Sequence, residues 1–322
     1  MYLQTIYVLA LSIDSDKFSK IFDQTYSTFE SIDENMYADY ALASGGITVL
    51  YQDSQYKKKI KLVVNPCRLL DSDKPDPEKL IRKLEKRVSG YFNNKYQLDD
   101  FELSGMGITV DFDVHTSENV SDYLKVLQRI GKVKGFSPFK DDWSRDDTGL
   151  FYDGNSNDIK FMLCDLEAFF GEQASDFSLA QTPIPEDCAG ILRAEVRLMK
   201  PKAIRGYTNK SSTSKQISDL HDNRQEIFLK TFLRIVPFGN FYKKNKAEEI
   251  IRAKVEDATI RRKMLRLAEL IPDKKSLLLA QKALNYRRID KVMKAFFDIE
   301  VAPITISKRH DIKKLDNLYN YL

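Results

Sequence analysis

Apolar and polar residues alternate through residues 2–13, the period-2 pattern of a β-strand. From Asp16 to Ile32 the spacing becomes helical, with Phe18, Ile21, Phe22, Tyr26 and Phe29 on one stripe, and Asp14, Ser15 and Asp16 supply an N-cap signal. Two strands are expected next, at 46–52 and 58–65, joined by a polar turn over Asp53–Lys59. Asn65-Pro66 ends the second, and Pro75 and Pro77 introduce a helix over Glu78–Phe92 with Leu80, Ile81, Leu84 and Val88 on its apolar side. A long alternating segment, Phe101–Val114, and a helix over Glu118–Gly131 follow. Residues 1–135 thus read as two successive β-rich units, each with a helix crossing one face. That pattern predicts an α+β fold built on an antiparallel or ferredoxin-like sheet with one open face.

Beyond a polar loop at 135–150, a hairpin is expected: Leu150–Tyr152, a turn at Asp153-Gly154-Asn155, then Ile159–Cys164 leading into a short helix. Residues 171–188 are rich in Ser, Asp and Pro and read as a loop. Gly190–Met199 is a strong strand, with Ala194, Val196 and Leu198 on one face and Arg193, Glu195 and Arg197 on the other. The stretch KPKAIRGYTNKSSTSK marks a boundary, after which the period is helical, near 216–235, 246–270, 274–285 and 287–298. Two domains are expected: an α+β domain over 1–205 and a basic helical region over 206–322.

Charge sharpens this division. Residues 1–200 carry 24 Lys and Arg against 33 Asp and Glu, whereas residues 201–322 carry 27 against 14, so a net charge of +4 hides an acidic front and a basic back. The expected partner of so basic a segment is a polyanion, although solvated helix faces with no ligand give the same composition. In residues 243–266 Lys and Arg surround a helix with an apolar stripe at Ile250, Val255, Ile260 and Leu267. That stripe lacks the aromatic anchors of a membrane-surface helix. Arg261, Arg262, Lys263, Arg287, Arg288, Lys308 and Arg309 are the candidate phosphate-binding cations, and Arg193 and Arg197 flank Glu195 in the front half. A helix, turn and helix near 274–298 has the length of a DNA-reading motif.

The N-terminal apolar stretch has no basic n-region and no cleavage site, so it reads as the first strand, not as a signal peptide. No apolar run approaches the ~18 residues of a membrane span. Three cysteines, Cys67, Cys164 and Cys188, at unrelated spacings suit a reducing cytoplasm better than a disulfide framework.

Three constellations carry candidate chemistry. Asp111, Asp113 and His115 share one face of a strand, where alternate residues stand about 6–7 Å apart and two carboxylates and an imidazole suit a hard divalent cation. The solvent face of an antiparallel sheet would show the same alternation. Glu195, between Arg193 and Arg197, is either the middle of an ion-pair ladder or a third carboxylate for that site. Cys164 follows an apolar strand and reads as a buried thiol. The chain has no phosphate-binding GxxxxGK[ST] loop, no GxGxxG, no GxSxG and no HExxH.

Taken in order, several segments resemble the rolling-circle replication initiators of filamentous phages and plasmids. KLVVNPCRLL (61–70) is similar to that family's strand followed by NP-x-R/K-L/V-L, and GITVDFDV (107–114) to its R-I-D metal-site strand. YDGNSNDIKFMLCDLEA (152–168) is similar to a hairpin leading to a Y-D-K motif, GILRAEVRL (190–198) to L-R-x-E-x-R-L, and VAPITISKRHDIKKL (301–315) to the family's ends. The resemblance implies a DNA endonuclease of replication. A tyrosine hydroxyl attacks a phosphodiester of a single-stranded or hairpin origin, Mg²⁺ or Mn²⁺ on carboxylates polarises the phosphate, and a 5′-phosphotyrosyl link forms as a 3′-OH is released. It implies Asp111, Asp113 and Glu195 as metal ligands, and host replication proteins as further partners. The chain departs from the pattern at the nucleophile: Cys164 and Leu166 stand where the family has Tyr and Lys, with Asp165 kept, and Thr109 stands for the Arg of R-I-D. Two accounts remain open. Tyr152 or Tyr207 serves as nucleophile, or the chain is a non-nicking relative that binds DNA as a regulator or accessory factor.

Overall fold

A computed structural model describes residues 3–25, 29–55, 57–138, 148–156, 158–172 and 188–322. Strand β1 (Gln4–Ile13) leads into α1 (Ser15–Thr25), followed by the hairpin β2 (Phe29–Asp33) and β3 (Met36–Asp39). A second hairpin, β4 (Ile47–Ser54) and β5 (Lys57–Val64), precedes α2 (Pro66–Leu70) and α3 (Pro77–Tyr91). The long strand β6 (Glu102–Asp113) is followed by α4 (Ser117–Leu127) and the short β7 (Phe136–Pro138). The hairpin β8 (Gly149–Gly154) and β9 (Ile159–Asp165), helix α5 (Leu166–Glu172) and strand β10 (Ile191–Leu198) complete the sheet. Then come α6 (Pro201–Arg205), α7 (Thr213–Asp222), α8 (Arg224–Ile235), β11 (Phe241–Tyr242), α9 (Lys244–Lys254), α10 (Ala258–Lys274), α11 (Leu277–Leu284), α12 (Ile289–Asp298) and β12 (Lys314–Leu315).

The fold is α+β. Among the described residues ten strands form one antiparallel sheet in the order β2-β3-β4-β5-β1-β6-β10-β9-β8-β7, and helices dominate the C-terminal part. The two β-rich units meet at the centre, where their first strands, β1 and β6, pair antiparallel. A β-bulge at Ser104 interrupts this pairing: Val8 faces Gly105 while Leu9 faces Leu103.

One face of the sheet is dry. Tyr7 and Leu9 of β1, Ile108, Val110 and Phe112 of β6, and Leu192, Ala194 and Val196 of β10 are buried against Leu80 and Leu84 of α3, Val120 and Leu124 of α4, Ile217 of α7 and Phe228 and Phe232 of α8. This cluster continues without a break into Met264, Leu267, Ala280, Val292 and Phe296 of the C-terminal helices, so the basic region shares the sheet's core. The opposite face holds two small apolar groups, Ile6, Ala38, Leu50 and Val63 at one side and Met162, Cys164 and Phe169 beside α5 at the other, and is polar between them.

Local sequence accounts for most helix starts. Asp76 accepts from the Lys79 amide at 2.8 Å ahead of Pro77, Thr116 from Asn119 at 3.1 Å, and Asp257 from Thr259 and Ile260 at 2.7 and 3.0 Å. Two glycines are fixed by close approach in the left-handed region. A Cβ at Gly46 (φ 79°) would lie 2.5 Å from the Leu69 amide, and one at Gly190 (φ 77°) would lie 2.6 Å from the His115 carbonyl carbon.

Several expected elements differ. The helix expected over 16–32 ends at Thr25, and Phe29–Asp33 is instead a strand, because β3 pairs with β4 and leaves an edge for that segment to extend. The helix expected over 216–235 breaks at Asn223, and that over 246–270 breaks where Asp257 caps a new helix. The loops expected at 135–150 and 171–188 lie largely outside the described residues, and β7 occupies the start of the first. Among the described residues no helix is long and apolar enough to cross a membrane.

Candidate nucleic-acid interface

Side chains of the open face line up in rows across the central strands, set by the register. Asp111 stands opposite Arg193 and Cys164, Thr109 opposite Glu195 and Met162, and Gly107 opposite Ile6, Arg197 and Lys160. Successive rows are about 7 Å apart, the rise of two strand residues.

The first row is occupied by a buried ion pair. Arg193 has no exposed side-chain surface, and its Nε and Nη2 donate to Asp111 Oδ1 and Oδ2 at 2.6 and 2.7 Å. Burial by itself disfavours the guanidinium charge, but the bidentate bond and the charge of Asp111 outweigh it and hold the Arg193 pKa above its ordinary value. Arg193, expected as a DNA contact, is therefore an interior residue whose fork is turned onto Asp111. Beside it Cys164 is buried with Met162 and Phe169, and burial pushes its thiol pKa well up, away from a nucleophilic thiolate.

Asp113 lies one row beyond Asp111, at the exposed end of β6, and accepts from the His115 amide at 2.9 Å. Glu195 lies in the opposite direction, two rows and about 13 Å from Asp113 along the strands. Its Oε1 accepts from Arg197 Nε at 2.7 Å. The three carboxylates expected to share Mg²⁺ or Mn²⁺ are thus spread over three rows, with Asp111 and Glu195 each held by an arginine. Among the described residues no three His, Cys, Asp or Glu side chains gather as a metal site. The donor set does not fit the ion, for a geometric reason: alternation puts residues on one face without bringing their ends together.

The tyrosines are placed elsewhere. Tyr152 points to the dry face, 3% exposed, with its hydroxyl donating to the Gly131 carbonyl at 2.7 Å, and burial raises its pKa. Tyr207, after α6, is half-buried, with Lys230 Nζ 5.2 Å from its ring centre. Leu166 is fully buried, and Asp165 receives the amides of Glu167 and Ala168 at the start of α5.

The second and third rows lead into a cavity of about 460 Å³ that crosses β5, β1, β6 and β10. Ile6, Val8, Ala10, Gly105 and Gly107 are among its lining residues. So are four cations, Lys59 and Lys61 from β5 and Arg197 and Lys200 from the β10 side, against two carboxylates, Glu102 and Glu195. Lys59 and Lys61 oppose Ser12 and Ala10 in the β5–β1 register, which puts them on the open face. The bulge at Ser104, whose hydroxyl donates to the Val8 carbonyl at 3.0 Å, sets two side-chain-free positions, Gly105 and Gly107, into this surface. Sequence reasoning found Glu195 and Arg197 but missed Lys59, Lys61 and the glycine pair. The signals were present: KKKIK (57–61) alternates lysines onto one face, and glycines at i and i+2 of a strand remove side chains from that face.

The C-terminal cations divide by position. Arg262, Arg287, Arg288, Lys308 and Arg309 are exposed. Arg261 donates to the Val255 carbonyl at 2.9 Å, and Lys263 lies 5.1 Å from the Tyr286 ring centre, which brings the 286–288 segment beside the first turns of α10. Many of their neighbours are neutralised: Lys246 by Glu249, Arg266 by Glu269 and Lys294 by Asp298, each at 2.7 Å.

No family model matches the chain, and no curated protein matches it in sequence. A solved structure of a rolling circle replication initiator protein from Geobacillus stearothermophilus aligns over 72% of this chain and 85% of that one, at 12% identity and a TM-score of 0.36. The likeness is one of distant overall shape, and no residue or role is transferred from it.

Proposed function

We propose that the protein binds single-stranded DNA across the open face of its sheet, without cleaving it, as a regulator or accessory protein of DNA replication. The observation that carries this reading is the cavity at the centre of the open face, lined by Lys59 and Lys61 and, across it, by Arg197, which is paired with Glu195, and Lys200, which is paired with Asp158. Its volume lies in the range of about 300–1,000 Å³ typical of sites for small organic groups, the size of one nucleotide. Lysines at the walls suit phosphates, and Ile6 and Val8 offer apolar contact to a base. Exposed Arg262, Arg287 and Arg288 belong to the helices on the dry side of the sheet and would meet phosphates only of a strand that runs beyond the open face. The motif resemblance supports DNA as the polyanion. Binding without cleavage is supported by the enclosure of Tyr152 and Cys164 and by the arginine partners of Asp111 and Glu195.

Fluorescence anisotropy with a labelled single-stranded oligonucleotide at a series of salt concentrations tests the proposal. Each phosphate contact adds about 0.7 to the slope of log affinity against log salt for single strands, so Lys59→Glu/Lys61→Glu is expected to lower the slope by about 1.4 and weaken binding. Unchanged slope and affinity in that variant, or no binding at low salt, refutes the reading. A covalent protein–DNA adduct on a denaturing gel after incubation with Mn²⁺ overturns its non-cleaving part.

A further inference from the structure

Glu195 is the feature of the cavity that phosphate binding does not explain. An acid facing a polyanion weakens binding, yet this residue sits in the cavity wall, 6% exposed. Its Oε1 is held by Arg197, whereas Oε2 is buried and accepts no hydrogen bond from any described residue. A buried carboxylate oxygen without a donor costs roughly 1–3 kcal/mol, so the position calls for one. Arg197 fixes the carboxylate's direction, and Gly107 makes room for it: a Cβ there would stand 3.0 Å from Oε1.

We infer that the cavity selects the base it takes, and that Glu195 reads the donor edge of guanine. The inference rests on the proposed binding of single-stranded DNA at this face. A nucleotide whose phosphate meets Lys59 and Lys61 on β5 extends its base over Val8 and Ile6 of β1 toward the Glu195 carboxylate, which lies over Gly107. Guanine presents two adjacent donors, N1–H and the exocyclic N2 amine, to a carboxylate. Cytosine and adenine offer one amine beside a ring acceptor. Thymine offers one N–H between two carbonyls, which face the carboxylate unfavourably. Ile6, Val8 and Met199 supply apolar contact to the base faces. The carboxylate thus lowers affinity for DNA in general and raises it for one base.

The test compares anisotropy of an oligothymidylate of about twelve nucleotides with the same oligomer carrying one central deoxyguanosine, and with deoxyinosine in its place, which lacks only the N2 amine. The guanosine oligomer is expected to bind about tenfold more tightly than oligothymidylate, as one charge-assisted hydrogen bond supplies, and inosine to lose most of that gain. Glu195→Gln, close in shape, is expected to erase the difference between the three oligomers. Gly107→Ala, which pushes the carboxylate aside, is expected to reduce it. Equal binding of all three by the unaltered protein overturns the inference and leaves DNA binding intact. Failure of all three to bind at low salt removes the underlying reading as well. A guanine preference that survives Glu195→Gln assigns base reading to another group and overturns the role of Glu195.

Discussion

Replacing Asp111 by Asn distinguishes the counter-ion of Arg193 from the metal ligand that the motif resemblance implies. The substitution keeps the shape of the side chain, removes its charge and turns an amide donor toward a guanidinium that also only donates. Arg193 is fully enclosed and Asp111 itself is 20% exposed, so little solvent reaches the pair. Removing one partner of a buried ion pair costs about 3–5 kcal/mol, because the remaining charge stays desolvated. Partial exposure of Asp111 and the hydrogen bond that Asn retains place the expected loss at the lower end, about 3 kcal/mol. Urea denaturation followed by circular dichroism reads this as a lower midpoint at unchanged slope. The double replacement Asp111→Leu/Arg193→Met removes both charges and is expected to recover most of the loss, since apolar substitutes for buried pairs are near neutral. The reasoning is refuted if Asp111→Asn unfolds within about 0.5 kcal/mol of the unaltered protein. Mn²⁺ titration by calorimetry completes the comparison: loss of Mn²⁺ binding with full stability would make Asp111 a ligand and not the partner of Arg193.

Three further outcomes are expected. His221 is buried, with Nδ1 3.0 Å from the Tyr7 hydroxyl and Nε2 3.1 Å from the Pro75 carbonyl, and burial first, then the charge of Arg224, lowers its pKa from 6.5 to about 4. The neutral ring is favoured in the folded state, so its contribution is complete above pH 6.5, falls as pH drops toward 4 and amounts to about 3 kcal/mol. Denaturation midpoints across that window check it, and a flat profile contradicts it. Tyr152→Phe is expected to cost about 1 kcal/mol, the lost bond to the Gly131 carbonyl, and to leave DNA affinity unchanged; a large loss of DNA-dependent function would return Tyr152 to the site. Arg287→Glu/Arg288→Glu, on exposed residues, is expected to weaken binding of a single strand that runs beyond the open face and lower its salt dependence at unchanged thermal stability. Unchanged binding would confine the interface to the sheet.

The local code of this chain determined its elements. Period-2 runs at 4–13, 102–113 and 191–198 are strands whose apolar alternates are buried, and Asp76-Pro77, Thr116 and Asp257 start helices through their own side chains. The charge split, the α+β class and an antiparallel sheet with one open face follow from the same kind of signal, because each depends on neighbours in sequence. Tertiary structure decided what the side chains of one face do to each other. Asp111, Asp113 and Glu195 share a face by alternation, but pairing β6 with β10 places Arg193 opposite Asp111 and Thr109 opposite Glu195, and this register turns expected ligands into arginine partners. The same pairing, with β1 and β5 on the other side, puts Lys59 and Lys61, some fifty residues from the glycine pair in sequence, beside Gly105 and Gly107. Strand order and register are set by burying the dry face as a whole, a sum over the entire core, and no window of sequence contains that sum.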